Sequence, residues 1–587
     1  VTPPRRLLQW RPTLLIAGSE RATMLALAVV AGIMAGFGAV AFRWLVEHAT
    51  LLFSGQDDYA GTTDHPAHPW LPGLGGWFVV LVPVVGGLIY GPLVHRFARE
   101  ARGHGVPEVM YAIQRKGGRI AGRVAFVKAI ASAVTIGSGG SVGREGPIVQ
   151  IGSALSSSLG RVTRIPGSQL PLLVACGAAG GIAATFNAPI AGVFFALELL
   201  LGSFAVGSFA AVVLASVTAS VIARAILGNE AFLVLPELSV HHLAEYGLFV
   251  ALGLLAGCVG IGFSKVLYWF EDMADKVWRG PEWLRPAAGG LLLGLLLLVL
   301  PQMYGVGYPV LENAVVGDYL VPFLLLLLVA KVIATSLTIA IGGSGGVFAP
   351  SLFLGAMLGA AAGQAIDAVA PGLGVSPGAY AVVGMAAVFA GSSRAPITAV
   401  LILFELTGEY SIILPLMLAV VVATATSSVL SRDTIYTEKL RRRGIDLTRH
   451  TSRTAGLAHV QVRELMAAAP PTLATGVLAT TATRLILDAG RPSLPVVSDD
   501  GHYVGVVSAS AAARALADDD DADDLVVADV SQWREHIGPD DTIDSVLDTM
   551  LDGSAPDGLP VLDDDGRVVG WLRHEVVLRA VATGAAT

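Results

Sequence analysis

A carboxylate, an arginine and a histidine stand in the most glycine-rich loops of this chain. Arg144 and Glu145 lie in GSGGSVGREGP (137–147), His104 lies in GHGVPE (103–108), and a third loop, GGSGGVFAP (342–350), carries no charge. Each loop runs into a proline, Pro107, Pro147 or Pro350, and then into a run that can be helical. Proline fits the first helical turn because the N–H it lacks has no intrahelical partner there. The amides beside each proline therefore project from a helix N-terminus. Several such ends brought together would bind an anion through partial positive charge, with no full cation to trap it. An ion held in that way can also leave, as permeation requires. Glu145 is itself an anion and would compete for the same amides; its other reading is a salt bridge to Arg144, which adjacent positions on regular structure are poorly placed to make.

The elements around these loops are apolar. Of 587 residues, 54% are hydrophobic, 14% are charged and 69 are glycine, and the mean hydropathy is +0.67. This excludes an ordinary soluble enzyme and predicts an integral membrane protein. Apolar runs over about 21–47, 76–98, 169–203, 207–227, 245–270, 286–304, 318–341, 350–370 and 378–430 reach or exceed the roughly 20 residues of a spanning helix. Glycine within them suits helices whose backbones touch in lipid. Non-helical loops at that depth survive only if buried in protein or lining a watery cavity, and an ionisable residue there is functional by default. Arg5, Arg6, Arg11 and Arg21 precede the first run and Leu440-Arg441-Arg442-Arg443 follows the last, so positive-inside logic predicts a multi-pass cell-membrane protein with both termini cytoplasmic and no cleaved signal peptide. Cys176 and Cys258 lie in apolar runs and suggest neither a disulfide framework nor a metal site.

Two internal repeats organise the chain. CGAAGGIAATFNAPIAGVFFALEL from Cys176 aligns without a gap on VGMAAVFAGSSRAPITAVLILFEL from Val383, and Lys128–Pro147 and Lys331–Pro350 share one spacing of 19 residues. Paired hydrophobic segments interrupted by Gly and Pro at matching places point to a transport site between two halves, expected at about 21–227 and 245–436. Lys128 and Lys331 could draw anions inward or snorkel to an interface. Beyond residue 437 the hydrophobic continuity ends. There LPVVSDDGHYVGVV from Leu494 recurs as LPVLDDDGRVVGWL from Leu559, a strand, an Asp-Gly turn and a second strand.

The three loops in this order, APIAGVFFALEL between the second and third, and TIYTEKL (434–440) after the last membrane run resemble the CLC family of chloride channels and chloride/proton exchangers. The tail resembles a pair of CBS domains. The resemblance implies an all-α polytopic membrane domain of two inverted, broken-helix halves (21–436) after a cytoplasmic N-terminal segment (1–20), a linker (437–460), and a cytoplasmic α/β CBS pair (461–518 and 526–585). It implies a homodimer in membrane lipid that conducts chloride and similar monovalent anions, with no enzyme activity, cofactor, metal or nucleic-acid partner. Glu145 matches the gating glutamate. Val347 and Phe348 match the residues whose amides hold the central anion, and Tyr436 the tyrosine whose hydroxyl completes that site; without the resemblance Tyr436 reads equally as an interfacial anchor. His104, Gly105, Arg144 and Gly146 complete the expected anion-binding set.

The chain departs from the family pattern at three places. His104 replaces the serine of the first loop; it could donate a ring N–H to the anion, make transport pH-dependent, or turn into packing. Glu198 is followed by Leu199, where family exchangers carry a second glutamate that accepts cytoplasmic protons. Leucine cannot relay a proton, so a gated channel is expected, the alternative being an antiporter with a non-standard proton route through Glu145 and Glu198. In the tail, Gly505, Ser508 and Ala511, and then Gly570, Arg573 and Val576, lack the aspartate that closes nucleotide-binding CBS motifs, which makes nucleotide binding doubtful. Among rival classes, a zinc protease lacks HExxH, since Leu578 follows His574-Glu575 where the second histidine belongs. A magnesium channel would want oxygen cages that these loops do not offer.

Overall fold

The structure, a computed structural model, describes residues 20–62, 66–228, 242–445, 460–518, 525–532, 535–551, 557–563 and 565–583. Most of the expected N-terminal segment and of the 437–460 linker lies outside the described residues. The chain divides into two compact units, Val1–Gly444 and Ile445–Thr587.

The first unit is helical. Its first half comprises α1 (Glu20–Ser54), α2 (Phe78–Phe97), α3 (Val106–Arg115), α4 (Arg123–Gly137), α5 (Glu145–Thr163), α6 (Leu170–Phe186), α7 (Pro189–Phe195), which continues as a π-helical turn over Ala196–Leu201, and α8 (Val206–Leu227). Its second half comprises α9 (Glu245–Val277), α10 (Arg285–Val299), α11 (Tyr308–Val316), α12 (Val321–Ala340), α13 (Phe348–Val369), α14 (Pro377–Ser393), α15 (Pro396–Thr407) and α16 (Ile413–Leu430), closed by α17 (Thr437–Arg442). Among the described residues, eight helices are long and apolar enough to cross a membrane.

Two of the long apolar runs are broken. The 169–203 run splits at Asn187 (φ 58°) and the 378–430 run at Arg394 (φ 54°), each a left-handed helix end two residues before a proline. Proline cannot continue the ladder and disfavours helix just before it, so Ala188-Pro189 and Ala395-Pro396 restart the chain at a new angle. Asparagine tolerates the left-handed region. Arginine does not do so readily, and Arg394 is held there by guanidinium bonds to the carbonyls of Ser427 (2.9 Å), Ser431 (2.5 Å) and Arg432 (3.1 Å).

Glycine sets the packing distance at equivalent places in the halves. A Cβ on Gly152 of α5 would stand 2.2 Å from the Gly177 carbonyl of α6, and one on Gly355 of α13 would stand 2.3 Å from the Gly384 carbonyl of α14. These helices meet backbone to backbone, which only small residues allow.

The second unit holds two three-stranded sheets. β1 (Ala467–Ala468), β5 (Gly558–Leu562) and β6 (Val568–Arg573) form one in the order β1-β6-β5, and β2 (Leu473–Ala474), β3 (Ser493–Val497) and β4 (Tyr503–Ser508) form the other in sequence order. The repeats exchange their lead-in segments. β1 pairs antiparallel with β6, and Val462 packs among Ile543, Leu559 and Leu572. Reciprocally, Val527 and Val530 pack with Leu494, Val496 and Val507. Each repeat therefore completes the core of the other, which a division at 518/526 does not convey.

Candidate anion pathway

The glycine loops meet where the two halves meet. Gly143 and Gly346 form a short antiparallel bridge, Gly143 donating to the Gly346 carbonyl at 2.8 Å and Gly346 to that of Gly143 at 2.6 Å. Gly103 donates to the Gly343 carbonyl at 3.1 Å, so the first loop joins the same knot. Two of its buried amides are satisfied reciprocally: the Thr338 hydroxyl accepts from the Ser141 amide (3.2 Å) and the Thr135 hydroxyl from the Ser344 amide (3.3 Å). Both pairs carry the offset of Lys128 to Lys331, 338 − 135 = 344 − 141 = 203. Membrane depth requires every such amide to find a partner, and the two halves supply one another's.

The lysines hold the loops in place. Lys128, fully buried, donates to the carbonyls of Ala101 (3.0 Å) and Gly103 (2.7 Å). Lys331, also fully buried, donates to those of Gly305 (3.4 Å) and Val306 (2.9 Å), and its ammonium stands 4.8 Å from the centre of the Phe353 ring. Neither snorkels to an interface; both are staples.

Helix starts converge on this knot. Gly105 (φ 83°) precedes α3, Arg144 precedes α5, Val347 precedes α13 and Tyr436 precedes α17. Gly146 packs so closely on the first loop that a Cβ there would stand 1.9 Å from the His104 carbonyl, while one on Gly105 would stand 2.6 Å from the Gly146 carbonyl. These two glycines let α3 and α5 begin side by side.

Glu145, 1% exposed, points its carboxylate across the halves. Oε2 accepts from the Ala349 amide at the start of α13 (3.4 Å), and Oε1 accepts from the Tyr308 hydroxyl (3.2 Å). The carboxyl group thus sits at the amide-bearing start of α13. Arg144 makes no short ion pair with Glu145 and packs its guanidinium over the Tyr308 ring, 5.2 Å from the centre. The expected alternative of a local Arg144–Glu145 salt bridge is therefore not what the structure forms. Phe348 is buried between Phe186 and Phe389, with ring centres at 5.4 and 4.4 Å.

On the other side of the knot stand His104 and Tyr436, each 2% exposed. Both ring nitrogens of His104 are buried without a hydrogen-bond partner among the described residues, and its ring lies edge-on to Tyr268 at 6.2 Å. Tyr268 donates its hydroxyl to the Ile435 carbonyl at 2.5 Å, which fixes the segment that carries Tyr436. Tyr436 stands within electrostatic reach of Glu145. Glu198 lies elsewhere: both its oxygens accept from the N-terminus of α15, and Leu199 beside it is buried in the π-helical turn.

Tyr308 was not among the expected site residues, yet a signal for it exists. Gly305-Val306-Gly307-Tyr308-Pro309 repeats the pattern of Gly103-His104-Gly105-Val106-Pro107 at an offset of 305 − 103 = 202. Gly307 (φ 88°) starts α11 as Gly105 starts α3. Each half thus has two loops, and the fourth brings Tyr308 to Glu145.

A broken-helix membrane unit of two related halves, with helix starts and a carboxylate meeting at its centre, defines an anion transporter. Residues 86–428 match the family described as voltage gated chloride channel, and residues 462–518 and 527–583 match CBS domains; the chain belongs to the CLC family and carries a C-terminal CBS pair. It is similar to a putative ClcB-like chloride channel protein of Ralstonia nicotianae (35% identical, over 73% of this chain and 98% of the relative). It is equally similar to the H(+)/Cl(-) exchange transporter ClcA of Vibrio parahaemolyticus (34%, over 72% and 91%). Among solved structures it is similar to a slow cyanobacterial Cl-/H+ antiporter (TM-score 0.64, 26% identical, 72% of this chain and 97% of that one). A eukaryotic CLC transporter shares the fold (TM-score 0.63, 20% identical) over 94% of this chain and 98% of its own.

Proposed function

We propose that this protein exchanges chloride for protons, with Glu145 serving as both gate and proton carrier. The observation that carries the reading is the Glu145 carboxylate on the Ala349 amide: a titratable anion mimic occupies the helix start that an anion needs. Protonation removes its charge, so the site can pass to chloride, and departure of chloride lets the ionised carboxylate return. Leu199 led to the expectation of a channel. The relatives weigh toward exchange, since several ClcA proteins at 34–36% identity and the cyanobacterial antiporter carry that name, although the ClcB-like relative is named a channel. On this reading the proton reaches the cytoplasm without a glutamate at position 199.

His104 acts here as a donor to the central anion in place of a serine hydroxyl. Its buried ring, with no partner on either nitrogen, supports this, because an N–H left unpaired at that depth costs about 1–3 kcal/mol. The amides of Val347 and Phe348 and the Tyr436 hydroxyl complete the shell, with Gly105 and Gly146 shaping it. We further take the protein to be a homodimer with both termini cytoplasmic, and the CBS pair to have a structural role in dimer contacts.

The test is an imposed chloride gradient across proteoliposomes. Uphill proton movement is expected from the natural protein and is lost in Glu145→Gln, whose chloride flux continues. Chloride flux without uphill protons in the natural protein would return the channel reading. His104→Ser that leaves anion selectivity and its pH dependence unchanged would remove the histidine from the site.

A further inference from the structure

The Glu145–Tyr308 contact opens on a chamber. A cavity of about 380 Å³ has Arg144, Tyr304, Tyr308, Asp58 and Glu312 in its lining. Glu312 lies one turn beyond Tyr308 on α11, and Asp58 sits in the loop after α1 with its carboxylate accepting from the Ala60 amide at 2.9 Å. Both lie outside the eight spanning helices.

We propose that Tyr308 is a positioning residue that passes protons between this chamber and Glu145, and that Asp58 and Glu312 are the carboxyls that load the chamber. The proposal rests on the reading of Glu145 as gate. The phenol can do this because its hydrogen already lies on Glu145 Oε1, while its oxygen, which also takes a bond from the Arg144 side chain, has a second lone pair that can accept from water. A proton leaves the Glu312 or Asp58 carboxyl, crosses water in the chamber and bonds to the Tyr308 oxygen as the original phenolic O–H bond breaks and its proton bonds to Glu145. Tyrosine ends as it began, the donor becomes a carboxylate and Glu145 becomes neutral. The reverse transfer discharges the gate.

The electrostatics suit this role. Burial holds the Asp58 carboxyl above its usual range, against the pull of the Ala60 and Gly61 amides and of Lys331. Burial and then the charge of Asp58 raise Glu312. Such carboxyls retain protons closer to neutral pH than ordinary surface acids. The wall also carries Arg43 and Glu47, paired at 2.7 Å on α1, Asp57, and Arg224 of α8 bonded to Asn187. Arg144 and Lys331 stand within electrostatic reach of Glu145.

The pair's sign is definite. Replacing both carboxyls by amides removes the proton store and the negative charge near the gate, so protonation of Glu145 from this side demands lower pH. The experiment is chloride current in planar bilayers with the pH of each side set separately, for the natural protein, Asp58→Asn/Glu312→Gln, Tyr308→Phe and Glu145→Gln. The expected result is that the acid-activation midpoint moves down on one side only in the double variant, with current at mildly acid pH falling roughly threefold or more, a shift near half a pKa unit. Tyr308→Phe is expected to slow activation from that same side, and neither change is expected in a Glu145→Gln background. Equal loss at every pH, an effect from both sides alike, or an unchanged profile would overturn the proposal. Absence of uphill proton transport in the natural protein would instead defeat the exchange reading, while this one-sided profile would still report on the gate.

Discussion

Glu198 and Glu405 cap each other's helices across the repeat. Glu198 accepts from the Ile397 and Thr398 amides at 3.1 and 2.8 Å and from the Thr398 hydroxyl at 2.6 Å, at the start of α15. Glu405, near the end of α15, accepts from the Ile190 and Ala191 amides at 2.9 and 2.7 Å, at the start of α7. The four amides are among those a helix start cannot satisfy internally, and a carboxylate there gains from the helix dipole as well. Either Glu→Gln substitution is expected to lower stability by about 1–2 kcal/mol, read as a fall in thermal midpoint in detergent. If Glu198 served chiefly as a proton relay, Glu198→Gln would instead reduce the proton-to-chloride ratio at unchanged stability.

The space that Glu145 occupies suggests a way to move it without removing it. A Cβ on Gly143 would stand 1.9 Å from Glu145 Oε2, the end of a flexible side chain, and 3.1 Å from the Ala349 side chain. Gly143→Ala should push the carboxylate off the Ala349 amide and raise chloride leak relative to proton movement. Chloride efflux and proton uptake recorded on the same liposomes check this; a ratio equal to that of the natural protein counts against Glu145 as the occupant of the anion's place.

The buried lysines should fail differently from surface lysines. Lys128→Met leaves the carbonyls of Ala101 and Gly103 without their charged donor, and Lys331→Met does the same for Gly305 and Val306. Each is expected to cost about 3 kcal/mol, measured by thermal unfolding. A loss of chloride attraction alone, with stability intact, would make them conduction charges rather than staples.

The exchange of lead-in segments in the CBS pair can be tested by placing the damage apart from the mutation in sequence. Val462→Ala should cost about 2 kcal/mol and loosen the helix Ile543–Leu551, against whose buried residues Val462 packs. Val527→Ala should loosen Ala479–Asp488 of the other repeat. Hydrogen exchange on the full-length chain resolves these helices, and protection lost only near each mutated residue in sequence would argue against the swap.

Much of this was legible in the residues alone. The three Gly/Pro loops, the alignment from Cys176 onto Val383 and the paired lysines identify two related halves, because local rules act on neighbours in sequence: proline and glycine stop helices, apolar length spans lipid. The breaks at Asn187 and Arg394 were less so, since an apolar run looks continuous until its proline is weighed. The fourth loop is faint in the sequence because Tyr308 shares no residue type with Val106, its counterpart, and only the Gly-x-Gly-x-Pro frame repeats.

The sequence by itself determined membrane residence, the two-fold plan, Glu145 as the charge at its centre and the paired tail, all properties of composition and order. Tertiary structure alone decided what each group meets: Glu145 with Tyr308 and Ala349, Lys128 and Lys331 with loop carbonyls, Glu198 with a helix 200 residues away. The reason is physical. A buried polar group must find a partner, and which one it finds depends on how two halves of the chain are brought face to face, not on the residues beside it.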